Sequence, residues 1–196
     1  MNMLKISIKS MLFFFLSVRF LSSSEFTMTI TAEGVNGEGG SDQIVLGSGN
    51  FPESSISYSD GFRFGEDEIQ IPQVGQEYID IYFFHPEWAG QVDSTGYECC
   101  EDNYYKFYSD RRSSLENSAP KVWSFGGITL GIEDSVKLSW EYMSDIECEI
   151  YLSIKNQTVN AKQVSEITVN KLDLLYDYIV EDDQVLAVAP VDVLVT

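Results

Sequence analysis

The chain has 196 residues, and its 31 Asp and Glu residues against 12 Lys and Arg give a formal net charge of −19 at pH 7. A hydrophobic fraction of 44% with 13% aromatic residues excludes intrinsic disorder, and the length suits one domain with a sizeable core. The acidic balance argues against nucleic acid and anionic membrane surfaces as partners, because clusters of Lys and Arg are what bind phosphate backbones.

The first 24 residues have the features of an export signal. Lys5 and Lys9 precede an apolar run at 11–18, and the serines at 22–24 are small enough for signal peptidase. The run is much shorter than the ~20 apolar residues that span a bilayer, so no stable membrane span is expected. The sequence predicts a signal peptide at 1–24, a single domain at 25–196 and a secreted, periplasmic or cell-surface location. An uncleaved tether is the alternative.

Apolar residues alternate with polar ones through most of the remaining chain. In 146–155 every second residue is apolar, and 136–142 alternates in the same way, with Trp140 and Tyr142 on its apolar face. This period is typical of half-buried antiparallel strands. Further strands are predicted at 27–33, 43–47, 78–84, 104–110, 121–132, 174–180 and 184–196. With turn residues between them, they predict an all-β fold, an antiparallel β-sandwich of Greek-key or jelly-roll type.

The strand at 78–84 is followed by His85, the chain's one histidine. A serine or cysteine hydrolase would need His85 as its base, but Gly-x-Ser-x-Gly is absent, and a structural or surface role is the favoured interpretation. The strand superficially resembles the Glu-Ile-Asp-Ile-Glu strand of laminarinase-like glycosidases, but Tyr78 and Tyr82 stand where both catalytic glutamates would be. No catalytic residue is predicted, and the protein is not expected to be an enzyme.

Trp88, shortly after this strand, has two interpretations. In the first it forms a platform for stacking on sugar rings, together with Tyr97, Tyr104 and Tyr108. In the second its ring packs at the end of the strand as a structural anchor. The two interpretations differ in whether solvent reaches the indole ring.

The loop that follows is acidic. It carries Asp93, Glu98, Glu101 and Asp102, whose carboxylates suit calcium as a hard cation. Their spacing is not that of a calcium-binding loop, so a solvated acidic loop is the alternative. No other cofactor is expected.

Three cysteines bear on the compartment and the fold. Cys99 and Cys100 are adjacent in the acidic loop, and Cys148 falls on the apolar face of its strand. Zinc sites need about four Cys or His ligands, and the redox motif Cys-x-x-Cys is absent. Because buried cysteines in oxidising compartments tend to pair, we predict a disulfide from Cys148 to Cys99 or Cys100. A Cys99–Cys100 disulfide and three unpaired thiols remain as alternatives.

The last predicted strand, 184–196, contains Pro190. Proline cannot donate a hydrogen bond to a strand ladder, which predicts that this strand lies at a sheet edge. An apolar terminal strand at an edge also suggests a fibre subunit that exchanges strands with a neighbouring copy.

Several landmarks occur in a characteristic order: "DQIVLGSG", "FGEDEIQIPQ", "IYFFHPEWAG", "FYSDRR", "VWSFGGITLG" and "VKLSWEY". Over residues 42–180 this order resembles uncharacterised β-sandwich modules of large secreted or surface proteins from Bacteroidetes-like and related environmental bacteria. Those modules carry an Asp-Ile-Arg step, for which this chain has Asp110-Arg111 without the intervening apolar residue. The resemblance implies secretion and a β-sandwich, and it carries no catalytic residues.

Together these features predict an exported, non-catalytic β-sandwich protein that acts as an extracellular or surface binding or assembly module. Its expected partners are glycans or other surface proteins. The alternatives are a glycan-binding module that uses Trp88 and nearby tyrosines, a carboxylate glycosidase, and a strand-exchanging fibre subunit.

Overall fold

Strands make up most of the chain that the structure describes. The computed structural model describes residues 26–37, 39–49, 77–88, 90–92, 96, 98, 106–113, 120–132, 134–144, 147–181 and 184–196. The strands in chain order are β1 Phe26–Gly34, β2 Ser41–Gly49, β3 Tyr78–Phe84, β4 Lys106–Phe107, β5 Ser109–Ser113, β6 Lys121–Leu130, β7 Ser135–Ser144, β8 Ile150–Ile154, β9 Gln157–Asn160, β10 Glu166–Asn170, β11 Asp177–Glu181, β12 Gln184–Val188 and β13 Val191–Val195.

These strands form two large sheets and one hairpin. The five-stranded sheet has the order β10-β7-β1-β2-β5, and the six-stranded sheet has the order β4-β3-β6-β13-β8-β9. Neighbouring strands run antiparallel except β2 and β5, which are parallel. Strands β11 and β12 pair with each other as a separate two-stranded sheet.

The two large sheets pack face to face, because alternation gives each of them one apolar face. Every second residue of β1 from Phe26 onward is buried, and Trp123 and Phe125 of β6 are buried on the facing sheet. The rings of Phe26 and Trp123, which come from opposite sheets, lie 5.9 Å apart. This arrangement confirms the predicted all-β sandwich.

The predicted apolar faces of β7 and β8 are confirmed in most positions. Trp140 is buried in β7, and so are Ile150, Leu152 and Ile154 in β8. Tyr142 differs, because 38% of its surface is exposed, and its neighbour Met143 on the opposite face is exposed as well. The end of β7 is therefore left uncovered on both faces.

The predicted edge position of the last strand is wrong. The chain bends at residues 189 and 190, so the segment 184–196 contains two strands. Strand β13 pairs with β6 on one side and with β8 on the other, which makes it a central strand. Pro190 lies in the bend, where no ladder hydrogen bond is required, and so places no restriction on β13. The apolar edge that suggested a strand-exchanging fibre subunit is thus not at β13.

The segment predicted as one strand at 104–110 contributes to both sheets instead. Strand β4 pairs with β3 in the six-stranded sheet, and after Tyr108 the chain enters β5 in the five-stranded sheet. Because the chain passes from one sheet to the other within a few residues, β5 begins in the sheet opposite to the one that contains β3 and β4.

The predicted signal segment, 1–24, lies outside the described residues. Over the described ranges, no helix has the length and apolar character needed to cross a membrane.

Candidate functional site

A buried ionic cluster lies between the two sheets where β5 begins. The carboxylate of Asp110 is fully buried. Arg112 donates to both of its oxygens, from Nε to Oδ1 at 3.1 Å and from Nη2 to Oδ2 at 2.8 Å. His85 Nε2 lies 3.3 Å from Oδ2 of the same carboxylate. One acid is thus held by a bidentate arginine and an imidazole.

The strand pattern explains why these side chains meet. Asp110 and Arg112 are two residues apart in β5 and so point to the same face, opposite the buried positions Leu46 and Ser48 of the parallel strand β2. Arg111, between them, is exposed. His85 directly follows β3 and continues the inward alternation of that strand, in the facing sheet.

The same residues connect β5 to β6 of the opposite sheet. Arg112 Nη1 donates to the backbone carbonyl of Val122, and the Arg112 guanidinium lies 5.2 Å from the centre of the Trp123 ring. In the other direction, Trp123 Nε1 donates to the backbone carbonyl of Asp110 at 3.1 Å. Hydrogen bonds and a cation–π contact therefore join the two sheets here.

Trp88 closes the cluster on the side of His85. The indole stacks on the His85 ring with centroids 3.7 Å apart and an angle of 8° between the planes, and the Phe107 ring meets it edge-on at 4.9 Å. Only 3% of Trp88 is exposed. Of the two interpretations of Trp88, the structure shows the packed anchor, and the ring as placed offers no surface to a sugar.

The structure describes one of the three tyrosines of the predicted stacking platform. Tyr108 is half-buried and packs against the hydrophobic core. Tyr97 and Tyr104 lie outside the described residues. The glycan platform predicted from the sequence therefore has no described geometry.

The electrostatics of the cluster favour a charged Asp110. Burial by itself raises the pKa of a carboxyl group, but the contacts with His85 and Arg112 outweigh burial and lower the pKa of Asp110 below its usual 3.8. Both carboxylate oxygens already accept hydrogen bonds, and solvent does not reach them. This chemistry fits a structural ion pair within β5 that His85, Val122 and Trp123 connect to the opposite sheet.

Sequence reasoning named His85 and Trp88 but missed their partners. It compared Asp110 with Arg111, whereas the residue on the same strand face is Arg112. The signal that could have found it is an Asp-x-Arg step with period two, directly after an aromatic segment. Nothing in the sequence shows that His85 lies beside it, because 25 residues separate the two segments along the chain.

The predicted metal and disulfide residues lie mostly outside the described residues. Asp93, Cys99, Cys100, Glu101 and Asp102 are all among those not described. Glu98 is exposed and forms an isolated bridge with Val92. Within the described ranges, no group of three or more His, Cys, Asp and Glu side chains is placed to hold a metal ion.

Cys148 is a buried thiol, as its position on the apolar strand face predicted. Its sulfur lies 3.5 Å from Ser144 Oγ. Because both predicted partners fall outside the described residues, the disulfide to Cys99 or Cys100 stays a prediction.

A second candidate site is a polar groove on the outer face of the five-stranded sheet. The groove has a volume of about 470 Å³, and its lining is rich in hydroxyl, amide and carboxylate groups, from Thr29, Thr31, Gln43, Ser139, Trp140, Glu141, Ser165 and Glu166. Sequence reasoning did not find this groove, because its residues come from four separate segments.

Strand register explains how the groove forms. Thr31 of β1 lies between Gln43 of β2 and Ser139 of β7, and Thr29 is the cross-strand partner of Glu141. Gln43 Nε2 donates to Thr31 Oγ1 at 3.0 Å, which orients the amide along the strand surface. The side chains at the outward positions of three adjacent strands thereby form a row of amide, carboxylate and hydroxyl groups that can make hydrogen bonds.

The indole of Trp140 fixes the position of the turn that borders one side of the groove. It is buried, and its Nε1 donates to the backbone carbonyls of Ala161 and Val164, each at 3.1 Å. These bonds hold the 161–165 turn against β7, so that Ser165 and Glu166 stand at a defined place beside the groove.

Comparisons with protein-family models, with curated proteins and with solved structures find no match to this chain. The function is therefore inferred from the geometry of the molecule.

Proposed function

We propose that this protein is an exported, non-catalytic β-sandwich that acts as an extracellular or surface binding module, with a neutral glycan as its ligand. The observation that carries the proposal is the polar groove across β1, β2 and β7. It combines four hydroxyl groups, one amide and two carboxylates in a volume of about 470 Å³.

The chemistry of the groove matches sugar hydroxyls. Carboxylate and amide side chains such as Glu141 and Gln43 are planar, and each can engage two neighbouring hydroxyls of a sugar ring. A binding site needs only a few well-placed polar groups on a rigid scaffold, and here the groups stand on adjacent strands of one sheet. A formal net charge of −19 disfavours acidic polysaccharides and leaves neutral ones.

Export is supported by the N-terminal sequence, with its basic residues and its apolar run of signal length. The buried carboxylate of Asp110 does not compete with the groove as a site, because its oxygens are occupied by Arg112 and are closed to solvent.

The proposal predicts that two substitutions of Glu141 change polysaccharide binding to different extents. In affinity electrophoresis against a panel of neutral polysaccharides, the wild type is expected to be retarded by at least one of them. Glu141→Ala should weaken that binding roughly fivefold to tenfold, since one hydrogen bond contributes about 1 kcal/mol. Glu141→Gln should bind nearly as well as the wild type, because the amide keeps the planar hydrogen-bonding shape.

The matched control is Gln157→Ala, an exposed position in β9 of the other sheet, which should not change retardation. All three variants should unfold close to the wild-type temperature, because surface substitutions change stability by only about 0.5 kcal/mol. The proposal is overturned if no neutral polysaccharide retards the wild type. Equal loss of binding in Glu141→Gln and Glu141→Ala would show that the ligand requires the negative charge, which is not the behaviour of a neutral glycan.

A further inference from the structure

A second hollow adjoins the polar groove where β7 extends past the end of β10. Strand β10 pairs with β7 as far as Ser139, and beyond it the 161–165 turn lies beside β7, with the Ser165 carbonyl accepting a hydrogen bond from Trp140 N. This edge hollow has a volume of about 520 Å³. It shares Trp140, Glu141 and Ser165 with the polar groove, so the two border each other along β7.

The edge hollow supplies exposed aromatic and aliphatic surface beside the polar groove. Tyr142 and Val164 line it and are 38% and 43% exposed, so solvent reaches both side chains. In the polar groove the aromatic lining residue is Trp140, which is buried. Binding sites for small molecules combine apolar and aromatic surface with a few polar groups that fix orientation. The polar groove and the edge hollow together have this combination.

The turn that forms one wall of the edge hollow is held in place by hydrogen bonds. Trp140 N donates to the Ser165 carbonyl at 3.0 Å, in addition to the two bonds from the indole. Lys162 Nζ donates to the backbone carbonyl of Cys148 at 2.8 Å, and Lys162 N donates to Asn160 Oδ1 at 2.9 Å. Because the turn is fixed before a ligand arrives, little conformational entropy is lost on binding.

The charges around the edge hollow favour an uncharged ligand. Lys162 and Glu141 are the cation and the acid among its described lining residues, so their formal charges cancel. The adjoining polar groove adds the carboxylate of Glu166, and the whole chain has a formal net charge of −19. An anionic ligand would be repelled by this field, whereas a neutral ligand would not.

We propose, building on the glycan-binding function proposed above, that the ligand is a neutral oligosaccharide whose linked sugar rings occupy the polar groove and the edge hollow together. The distance along β7 from Ser139 in the polar groove to Tyr142 is about 10 Å, at about 3.3 Å per residue. A single sugar ring is shorter than this distance, whereas two linked rings span it. The protein therefore recognises a segment of a sugar chain.

Each hollow contacts a different part of a sugar ring in this arrangement. The C–H face of the ring in the edge hollow stacks on Tyr142, as apolar surface does on an aromatic side chain. Glu141 lies at the boundary between the two hollows, where its carboxylate accepts hydrogen bonds from ring hydroxyls. Tyr142 is thus the residue that makes binding depend on the length of the oligosaccharide.

Isothermal titration calorimetry on the full chain tests the proposal. The probes are neutral glucan, mannan and xylan oligosaccharides of increasing length, starting from the single sugars. For the wild type, affinity should rise roughly tenfold between the single sugar and a longer oligosaccharide of the series that binds. Tyr142→Ala should weaken binding of the longer oligosaccharide roughly threefold to tenfold and so remove most of this gain. Tyr142→Phe keeps the ring and should bind like the wild type.

The matched control is Met143→Ala, which truncates the next side chain of β7. Met143 is 75% exposed and lies on the other face of the strand, so its loss should not change oligosaccharide binding. The length dependence is measured on the wild type and needs no substitution, so it tests the proposal even if Tyr142→Ala is less stable.

The outcomes separate this proposal from the proposed function. If an oligosaccharide binds and Glu141→Ala weakens it while Tyr142→Ala binds like the wild type, the groove binds a glycan without the edge hollow and this proposal is wrong. It is also wrong if the wild type binds a single sugar as tightly as the longer oligosaccharides. If none of the neutral carbohydrates binds to the wild type, this proposal and the proposed function both fail.

Discussion

Replacing Asp110 by asparagine is expected to lower the free energy of unfolding by about 3–5 kcal/mol at neutral pH. The substitution keeps the shape of the side chain but removes the carboxylate that pairs with the Arg112 guanidinium. The Arg112 side chain is only 18% exposed, so its charge would be left largely buried without that carboxylate. Breaking a buried ion pair from one side has an effect of this size, because the remaining charge is uncompensated. Urea unfolding followed by tryptophan fluorescence measures the change, since Trp123 lies beside the pair.

Two neighbouring arginines provide the control for this prediction. Arg112→Ala should be strongly destabilising, whereas Arg111→Ala, at the exposed position between the two cluster residues, should change stability by only about 0.5 kcal/mol. The double variant Asp110→Asn, Arg112→Met should be less destabilised than the sum of its single variants, because both charges are removed together. Equal effects of the two alanine variants would contradict the assigned role of Arg112.

The same ion pair predicts how stability depends on pH. The pKa of Asp110 is lowered in the folded protein, so the unfolded chain takes up the proton more readily. The stability from Asp110 is therefore complete above the unfolded pKa of 3.8 and is lost as the pH falls through the lower native pKa. The difference in unfolding free energy between the wild type and Asp110→Asn should shrink below pH 3.8; a constant difference would show that Asp110 is not charged in the native protein.

Replacing Trp88 by alanine is expected to destabilise the protein by about 3–5 kcal/mol, as truncation of a large core side chain does. The indole is 3% exposed and contacts the rings of His85 and Phe107, so its removal leaves a cavity beside the ionic cluster. Thermal and urea unfolding measure the loss. Trp88→Phe should recover part of it, because a smaller ring can still stack on His85.

Leu172→Ala is a suitable control for Trp88→Ala, because 59% of that leucine is exposed and its truncation should be nearly neutral. The sugar-stacking interpretation makes the opposite prediction for Trp88→Ala, namely normal stability with lost glycan binding. A stable Trp88→Ala variant that no longer binds a polysaccharide would therefore overturn the packed assignment.

The sequence alone determined most of the strands and the buried face of most of them. Strands β9 and β10 were not predicted, and the strand predicted at 174–180 begins only at Asp177, after a short 3-10 helix at Lys171–Leu174. The bounds of β3 were predicted to the residue, and Trp140 and Cys148 were both placed on buried faces. These predictions succeed because alternation is a local property, since successive side chains of a strand point to opposite faces whatever its neighbours are. The same local reasoning predicted the sandwich, since many short amphipathic strands have few other ways to bury their apolar faces.

Only the tertiary structure decided which strands are neighbours. Pro190 suggested an edge, but β13 is central because β6 and β8, distant in the chain, pair with its two sides. The ionic cluster depends on the parallel pairing of β5 with β2 and on the end of β3 in the opposite sheet. The groove depends on the register of β1 with β2 and β7. Alternation specifies the face of a side chain but carries no information about its partner across the sheet, and both candidate sites are built from such long-range partners.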